Sequence, residues 1–209
     1  MIYESSNNDE QQIAVVGEQD NVLGSAVPER IYNQGLTHRV ASIFVVDNQS
    51  RLMLQKRAFS KHRHPGLLSE SVSAQVAYGE NYIDAARRRI NQELGPIIDE
   101  SEAGGLTQIC KVHIDAMDEG YRYGFPSSIA SSNFWKKKAF VAIYEYILDH
   151  DRIDRMSINP YEVSNVYFLP LSKVVQFFES SPGLFVPGFG FTLKAYLDYH
   201  RSGMENNRR

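Results

Sequence analysis

Hydrophobic and polar residues follow one another in short blocks that predict strands and helices in mixed order. Two apolar runs after Ile13 flank a polar turn and indicate a hairpin, and a helical turn ends at Gly35. Strands are predicted at Val40–Val46, Arg51–Arg57, Thr107–Ile114, Lys138–Leu148 and Val163–Leu169, an extended segment at Leu67–Val76, and helices at Glu80–Leu94, Ser172–Glu179 and Thr192–Arg201. This order lacks the strict alternation of a doubly wound sheet, so we expect an α+β fold arranged as an α/β/α sandwich with a mixed sheet.

The same pattern predicts one domain with short loose ends. Residues 1–11 are polar, residues 12–202 carry the regular elements, and we expect residues 203–209 to be loose. The segment Asp115–Trp135 is rich in Gly and Ser and predicts a functional insert or a mobile loop. Residues 60–66, with the sequence S-K-H-R-H-P-G, form a basic loop between two predicted strands.

Composition limits the classes of protein to which this chain can belong. Hydrophobic residues make up 43% of the 209 residues and charged residues 22%, as in ordinary globular proteins. The net charge of −3 gives no bulk electrostatic case for nucleic-acid binding. No apolar run approaches the roughly 18 residues of a membrane span. The single cysteine, Cys110, fits a reducing compartment, so the expected location is the cytoplasm.

The predicted helix Glu80–Leu94 carries the most informative pattern. Ile83, Ala86, Ile90 and Leu94 share one face and predict a core stripe. Arg89 and Glu93 lie four residues apart on the flank of that stripe. They form either a surface ion pair worth about 0.2–0.5 kcal/mol or part of a metal and phosphate site.

Residues 74–96, A-Q-V-A-Y-G-E-N-Y-I-D-A-A-R-R-R-I-N-Q-E-L-G-P, resemble the Nudix box, G-x(5)-E-x(7)-R-E-U-x-E-E-x-G-U. The residues that match are Glu80, Arg88, Ile90, Glu93 and Gly95. Ala74 stands in place of the first glycine, Arg89 and Gln92 in place of two acids, and Pro96 in place of the last apolar residue. The R-R pair, the segment Arg57–Gly66 and the sequence L-T-H-R before the first long strand are similar to the isopentenyl-diphosphate isomerase branch. The resemblance implies a Nudix-type sandwich.

For ligand binding, the resemblance implies a diphosphate grip. The isomerase branch holds the diphosphate with basic residues at positions that match Arg57, Lys61 and Arg89. It bridges the phosphates through Mg²⁺ to a glutamate that matches Glu93. Arginine matches phosphate oxygens bidentately, and Mg²⁺ prefers carboxylates together with phosphate.

For isomerisation, the resemblance is incomplete. The branch needs a cysteine at the position of Ser73, and a serine hydroxyl is a far weaker acid. The branch also holds a second metal with three histidines and two glutamates. Of these ligands only His38 is present here, and Ile31 and Gln75 stand at two of the other positions. We therefore expect His38 to be a packed or capping histidine.

For hydrolysis, the resemblance implies Mg²⁺ or Mn²⁺, bound weakly, with Glu93 and Glu80 as metal residues and Glu93 and Glu162 as catalytic residues. Glu70 is a further acid outside the box. We expect a protein that acts on a small diphosphate compound, by metal-dependent hydrolysis. The alternatives are an isomerase-like protein and a silent diphosphate binder. No nucleic-acid or membrane partner is expected, and a homodimer is left open.

Overall fold

A computed structural model describes residues 10–98, 105–116 and 137–206. Its strands are β1 (Ile13–Val16), β2 (Val22–Ala26), β3 (His38–Asp47), β4 (Arg51–Arg57), β5 (Leu68–Ser69), β6 (Val72–Gln75), β7 (Leu106–Ala116), β8 (Lys137–Leu148) and β9 (Val163–Pro170). Its helices are α1 (Pro28–Gln34), α2 (Tyr82–Leu94), α3 (His150–Ile153), α4 (Leu171–Ser180) and α5 (Phe189–Asn206). A 3₁₀ turn at Pro182–Leu184 joins the last two helices.

Strand β3 organises a mixed sheet. It pairs in parallel with β8 along its whole length and antiparallel with β6, β4 and β1 over shorter stretches. Strand β4 continues the sheet by pairing antiparallel with β9 and with the short β5. Strands β7 and β8 form a long hairpin-like pair, and β1 and β2 form the hairpin expected near the N-terminus.

Residues of β3 point alternately to two hydrophobic cores. Ala41, Ile43 and Val45 contribute to a core that also holds the buried face of α2. Val40 and Phe44 contribute to the core on the other side, where α4 and α5 pack. The sheet is therefore covered by helices on both faces, which confirms the predicted α/β/α sandwich.

The predicted elements agree with the structure except at several ends. The extended segment predicted at Leu67–Val76 is divided into β5 and β6, and α3 was missed. Helix α2 begins at Tyr82 rather than Glu80 because the Asn81 side chain caps it, accepting a hydrogen bond from the Asp84 amide at 2.9 Å. Asp115 belongs to β7 and not to an insert, and α5 continues into the C-terminal stretch predicted to be loose. Within the described residues, no helix combines the length and the apolar character needed to span a membrane.

Asp20, in the turn between β1 and β2, fastens this hairpin to the rest of the sandwich. Its carboxylate accepts hydrogen bonds from Arg39 at 2.7 Å, Lys111 at 2.8 Å and Tyr82 at 3.0 Å. These donors belong to β3, β7 and α2. Partial burial alone would raise the pKa of Asp20, but the hydrogen bonds from Lys111, Arg39 and Tyr82 hold it below its ordinary value.

We expect Asp20→Asn to lower the free energy of unfolding at pH 7 by about 2 kcal/mol, since hydrogen bonds to a charged group are typically worth 1.5–3 kcal/mol. Asparagine tolerates the positive φ of 61° at this position, so the change tests the charge rather than the backbone. A group with a lowered folded-state pKa contributes stability above its unfolded pKa of about 3.9 and loses it as the pH falls through the folded value. Denaturant titrations at pH 7 and pH 3 should therefore show the difference shrinking in acid. A pH-independent difference would contradict this assignment.

Candidate functional site

A cleft of about 320 Å³ opens where β4, β6, α2 and the basic loop meet. Its lining mixes polar and apolar side chains and includes all three basic residues that the family resemblance implies for phosphate binding. The polar lining residues include Arg57, Lys61, Arg63, Arg89, Glu70, Glu162, Ser73, Gln75 and Tyr32. The three segments that carry Arg57, Lys61 and Arg89 therefore converge on one cleft.

Glu162 reaches the cleft because the segment before β9 docks on the C-terminal end of α2. The last carbonyls of a helix lack partners within the helix. Here the Ser157 amide donates to the Leu94 carbonyl at 2.8 Å, and the Asn159 amide donates to the Glu93 carbonyl at 2.9 Å. The Asn159 side chain also donates to the Gln92 carbonyl at 3.2 Å. These bonds fix the turn that places Glu162 opposite α2.

Arg89 is the centre of a buried ion cluster. Its Nε atom lies 2.7 Å from Glu93 Oε1, and a terminal nitrogen lies 2.5 Å from Glu162 Oε2. Arg89 is 5% exposed, and both glutamates are 3% exposed. Burial alone would lower the pKa of Arg89, but the two carboxylates raise it. The pair Arg89–Glu93 is therefore not the surface pair that helix spacing alone suggested.

Two more cations lie next to the cluster, Lys61 from the basic loop and Arg57 from the end of β4. Lys61 Nζ lies 2.6 Å from the same Glu162 oxygen that Arg89 contacts. The Arg57 guanidinium donates to the carbonyls of Arg63 at 2.9 Å and His64 at 3.2 Å, which ties the loop to the end of β4. The Ala58 amide also donates to the Glu162 carbonyl at 3.0 Å. The loop is therefore held against the segment before β9 by both backbone and side-chain contacts.

Glu93 has the right chemistry for a divalent metal, but its oxygens are already engaged. Oε1 pairs with Arg89, and Oε2 accepts a hydrogen bond from the buried Gln55 amide at 2.5 Å. Burial raises the pKa of Glu93, although Arg89 opposes the shift. Among the residues that the structure describes, no group of three or more His, Cys, Asp or Glu could hold a metal ion. With the side chains in this arrangement, the site does not fit Mg²⁺ or Mn²⁺.

Glu80 has a structural environment. It accepts hydrogen bonds from Arg88 at 2.8 and 2.9 Å and from the Ala77 amide at 2.9 Å, just before α2 begins. Burial would raise its pKa, but the bonds from Arg88 and Ala77 lower it. Its role as a metal residue stays a prediction without geometric support.

The positions implied for the second metal site of the isomerase branch are filled by packing contacts. Ile31 is buried in a small core beneath β1. The Gln75 amide donates to the Tyr32 hydroxyl at 2.7 Å, and the Arg63 guanidinium lies 3.5 Å from the centre of the Tyr32 ring. His38 is buried, with Nδ1 3.2 Å from the Leu36 carbonyl, in agreement with the expected packed histidine.

Sequence reasoning missed three parts of the site, namely Gln55, Ser42 and the Arg63–Tyr32 stack. Gln55 and Ser42 sit among buried apolar residues of β4 and β3, and polar residues at such positions were the available signal. The stack joins residues that are far apart in sequence, so spacing gave no indication of it. Most of the segment expected to form an insert, together with its aromatic residues, lies outside the described residues.

The NUDIX domain family model matches residues 36–184, and the chain belongs to this family. A Serratia proteamaculans protein named isopentenyl-diphosphate Delta-isomerase is 35% identical over 112 residues, covering 54% of this chain and 63% of that protein. An uncharacterized Nudix hydrolase of Yersinia pestis is 37% identical over 83 residues, covering 40% of this chain and 46% of that protein. The chain thus spans 63% of the length of the first relative and 46% of the length of the second.

Two matches extend over most of the chain at lower identity. A Pectobacterium atrosepticum protein named isopentenyl-diphosphate Delta-isomerase is 24% identical over 188 residues, covering 90% of this chain and 92% of that protein. A solved structure from Deinococcus radiodurans is 21% identical with a TM-score of 0.64, covering 88% of this chain and 98% of that one. The similarity to this solved structure supports the fold alone.

We expect Arg89→Met to lower the free energy of unfolding by about 3–5 kcal/mol at pH 7, because it leaves two buried carboxylates without their shared cation. The pKa of Glu93 would then rise further, so stability should be recovered as the pH falls and Glu93 is protonated. Arg87→Met, two residues before Arg89 on α2 and outside this ion cluster, is the matched control. Thermal unfolding between pH 5 and pH 8 would measure both, and equal losses in the two variants would contradict the central role of Arg89.

Proposed function

We propose that this Nudix protein binds a small diphosphate compound in the cleft, with Arg57, Lys61 and Arg89 as its phosphate contacts. The observation that carries the proposal is the convergence of these three cations, from a strand end, a loop and a helix, on one lining. Planar guanidinium groups and a lysine ammonium together suit the oxygens of two linked phosphates.

The charge balance of the cleft supports an anionic ligand. Arg89 and Lys61 are held by one oxygen of Glu162. A phosphate that approaches this oxygen would compete for the same two cations. Since both cations are already fixed near one point, little side-chain ordering remains to be done on binding, which favours affinity.

Isomerase chemistry is less well supported by this site. Ser73 lines the cleft at the position of the required cysteine, and no described residue accepts or donates a hydrogen bond to its hydroxyl. A serine hydroxyl without a neighbouring base is a poor proton donor or acceptor at neutral pH. The relatives named as isomerases therefore support the diphosphate part of the resemblance more than the proton transfer.

We expect Lys61→Gln to weaken the binding of inorganic pyrophosphate about tenfold, since a charge-assisted contact is worth about 1.5–3 kcal/mol and 1.4 kcal/mol is one decade. Glu162 keeps its pair with Arg89 in this variant, so the fold should persist. Isothermal titration calorimetry would measure the change. Lys173→Gln, on the exposed surface of α4, is the control, and equal affinity in all three proteins would contradict the proposed phosphate site.

Metal-dependent hydrolysis is the second candidate, and one observation favours it. Glu93 and Glu162 both contact the Arg89 guanidinium, so two carboxylates from distant segments lie on either side of one group, and a metal would fit between them only if Arg89 moved away. A ligand phosphate that draws Arg89 away would leave both acids beside the ligand. Carboxylates next to a diphosphate are suited to hold a divalent metal, which could assist hydrolysis of such compounds.

If the protein hydrolyses organic diphosphates with Mg²⁺, we expect Glu93→Gln to reduce turnover by at least a hundredfold. The variant should fold, because Arg89 still pairs with Glu162 and the glutamine is isosteric. Phosphate or monophosphate release from a panel of organic diphosphates would be measured, with Glu179→Gln on exposed α4 as the control. Turnover that survives in Glu93→Gln would place the reacting acids elsewhere, and absence of turnover in the unmodified protein would leave binding as the function.

A further inference from the structure

The cleft contains a buried carboxylate that the proposed phosphate contacts do not use. Glu70 lines the cleft and is 5% exposed. Its Oε1 atom accepts a hydrogen bond from the buried Ser42 hydroxyl at 3.0 Å. Its Oε2 atom has no hydrogen-bond partner among the residues that the structure describes. One oxygen of the carboxylate is thus fixed while the other is available to a ligand.

The backbone around Glu70 is held in place by its neighbours. Ser71 separates β5 from β6, and its buried hydroxyl donates to the Met53 carbonyl at 2.6 Å and accepts from the Val45 amide at 2.8 Å. The Ser69 hydroxyl donates to the Glu70 carbonyl at 3.0 Å. The break in the extended segment is therefore bonded to both β3 and β4, and Glu70 is presented to the cleft on a rigid support.

Two further hydrogen-bond acceptors lie on the same cleft lining. Strand β6 contributes Ser73 and Gln75, and Ser73 is paired in register with Ser42. The Gln75 amide nitrogen is engaged by Tyr32, which leaves its Oε1 atom without a hydrogen-bond partner in the described part of the chain. Glu70 Oε2, Ser73 Oγ and Gln75 Oε1 can all accept hydrogen bonds from a ligand.

We propose that the group attached to the diphosphate carries hydroxyls, and that Glu70, with Ser73 and Gln75, binds those hydroxyls. This inference rests on the proposed diphosphate site and names the class of compound that would occupy it: a polyol or sugar diphosphate. Hydroxyl groups donate to acceptors that are otherwise unused, and carboxylates are strong acceptors for them.

Two other classes of compound fit this lining less well. A hydrocarbon group could pack on Val186, Pro187 and Phe189. It would also cover Glu70 Oε2 and Gln75 Oε1 without giving them a hydrogen bond, which is costly for a carboxylate. A cationic head group would suit Glu70 but would lie near Arg57, Lys61 and Arg63, which line the same cleft. A neutral hydroxylated group avoids both penalties.

The test compares two diphosphates with the same number of carbons, ribitol 5-diphosphate and pentyl diphosphate, with inorganic pyrophosphate as reference. By calorimetry, the unmodified protein should bind the ribitol compound at least tenfold more tightly than the pentyl compound. In Glu70→Ala this ratio should fall below threefold. Taking the ratio removes the general gain in anion affinity that follows from deleting a negative charge. Glu179→Ala, which removes an exposed carboxylate from α4, should keep the full ratio.

Glu70→Gln covers the case in which the alanine variant does not fold. Its amide is isosteric but a weaker acceptor, and the ratio should fall in this variant also. Equal binding of the ribitol and pentyl compounds by the unmodified protein, with pyrophosphate still bound, overturns this inference and leaves the diphosphate site standing. An unchanged ratio in both Glu70 variants overturns the role of Glu70. Absence of binding by all three probes overturns the diphosphate site itself.

Discussion

The site depends on one guanidinium group placed between two buried carboxylates. A glutamate removed from water is stable only when a cation or several hydrogen bonds replace the solvent. Arg89 supplies that replacement for Glu93 on its own helix and for Glu162, which is 73 residues further along the chain. Because Lys61 contacts the same Glu162 oxygen, the basic loop is bound to this centre as well. Helix α2, the segment before β9 and the loop after β4 are thus held together by electrostatic contacts at one point.

This arrangement explains how a changed Nudix box remains compatible with the Nudix sandwich. An acid at the position of Arg89 would place three carboxylates together, and like charges at this distance require a counter-ion. With arginine at that position, the chain provides the positive charge itself. The backbone interactions that support the helix are independent of this change, since the helix is capped by Asn81 at its start and by the Ser157 and Asn159 amides at its end.

The sequence predicts the local structure well and the burial of charges poorly. The stripe of Ile83, Ala86, Ile90 and Leu94 and the apolar strand β3 are local patterns, and the structure has the expected helix and strand there. The spacing of Arg89 and Glu93 predicts that they are neighbours. It does not predict that both are buried, because burial depends on the docking of the segment before β9. The contacts of Ser42 with Glu70 and of Gln55 with Glu93 also depend on strand positions that no local pattern specifies.

The cleft lining offers a ligand both cations and hydrogen-bond acceptors, and under the proposed assignment these two kinds of group would restrict how a ligand is oriented. Cations from the loop and α2 form one part of the lining, and acceptors on the segment from Glu70 to Gln75 form another. The lining includes two carboxylates, Glu70 and Glu162, and five arginine or lysine side chains, namely Arg57, Lys61, Arg63, Arg88 and Arg89. A ligand with anionic phosphates at one end and hydroxyls at the other can pair its phosphates with the cations and donate hydrogen bonds from its hydroxyls to the acceptors. A ligand lacking either part would leave buried charges or acceptors without partners, and the cost of those unpaired groups is what would make such a cleft selective.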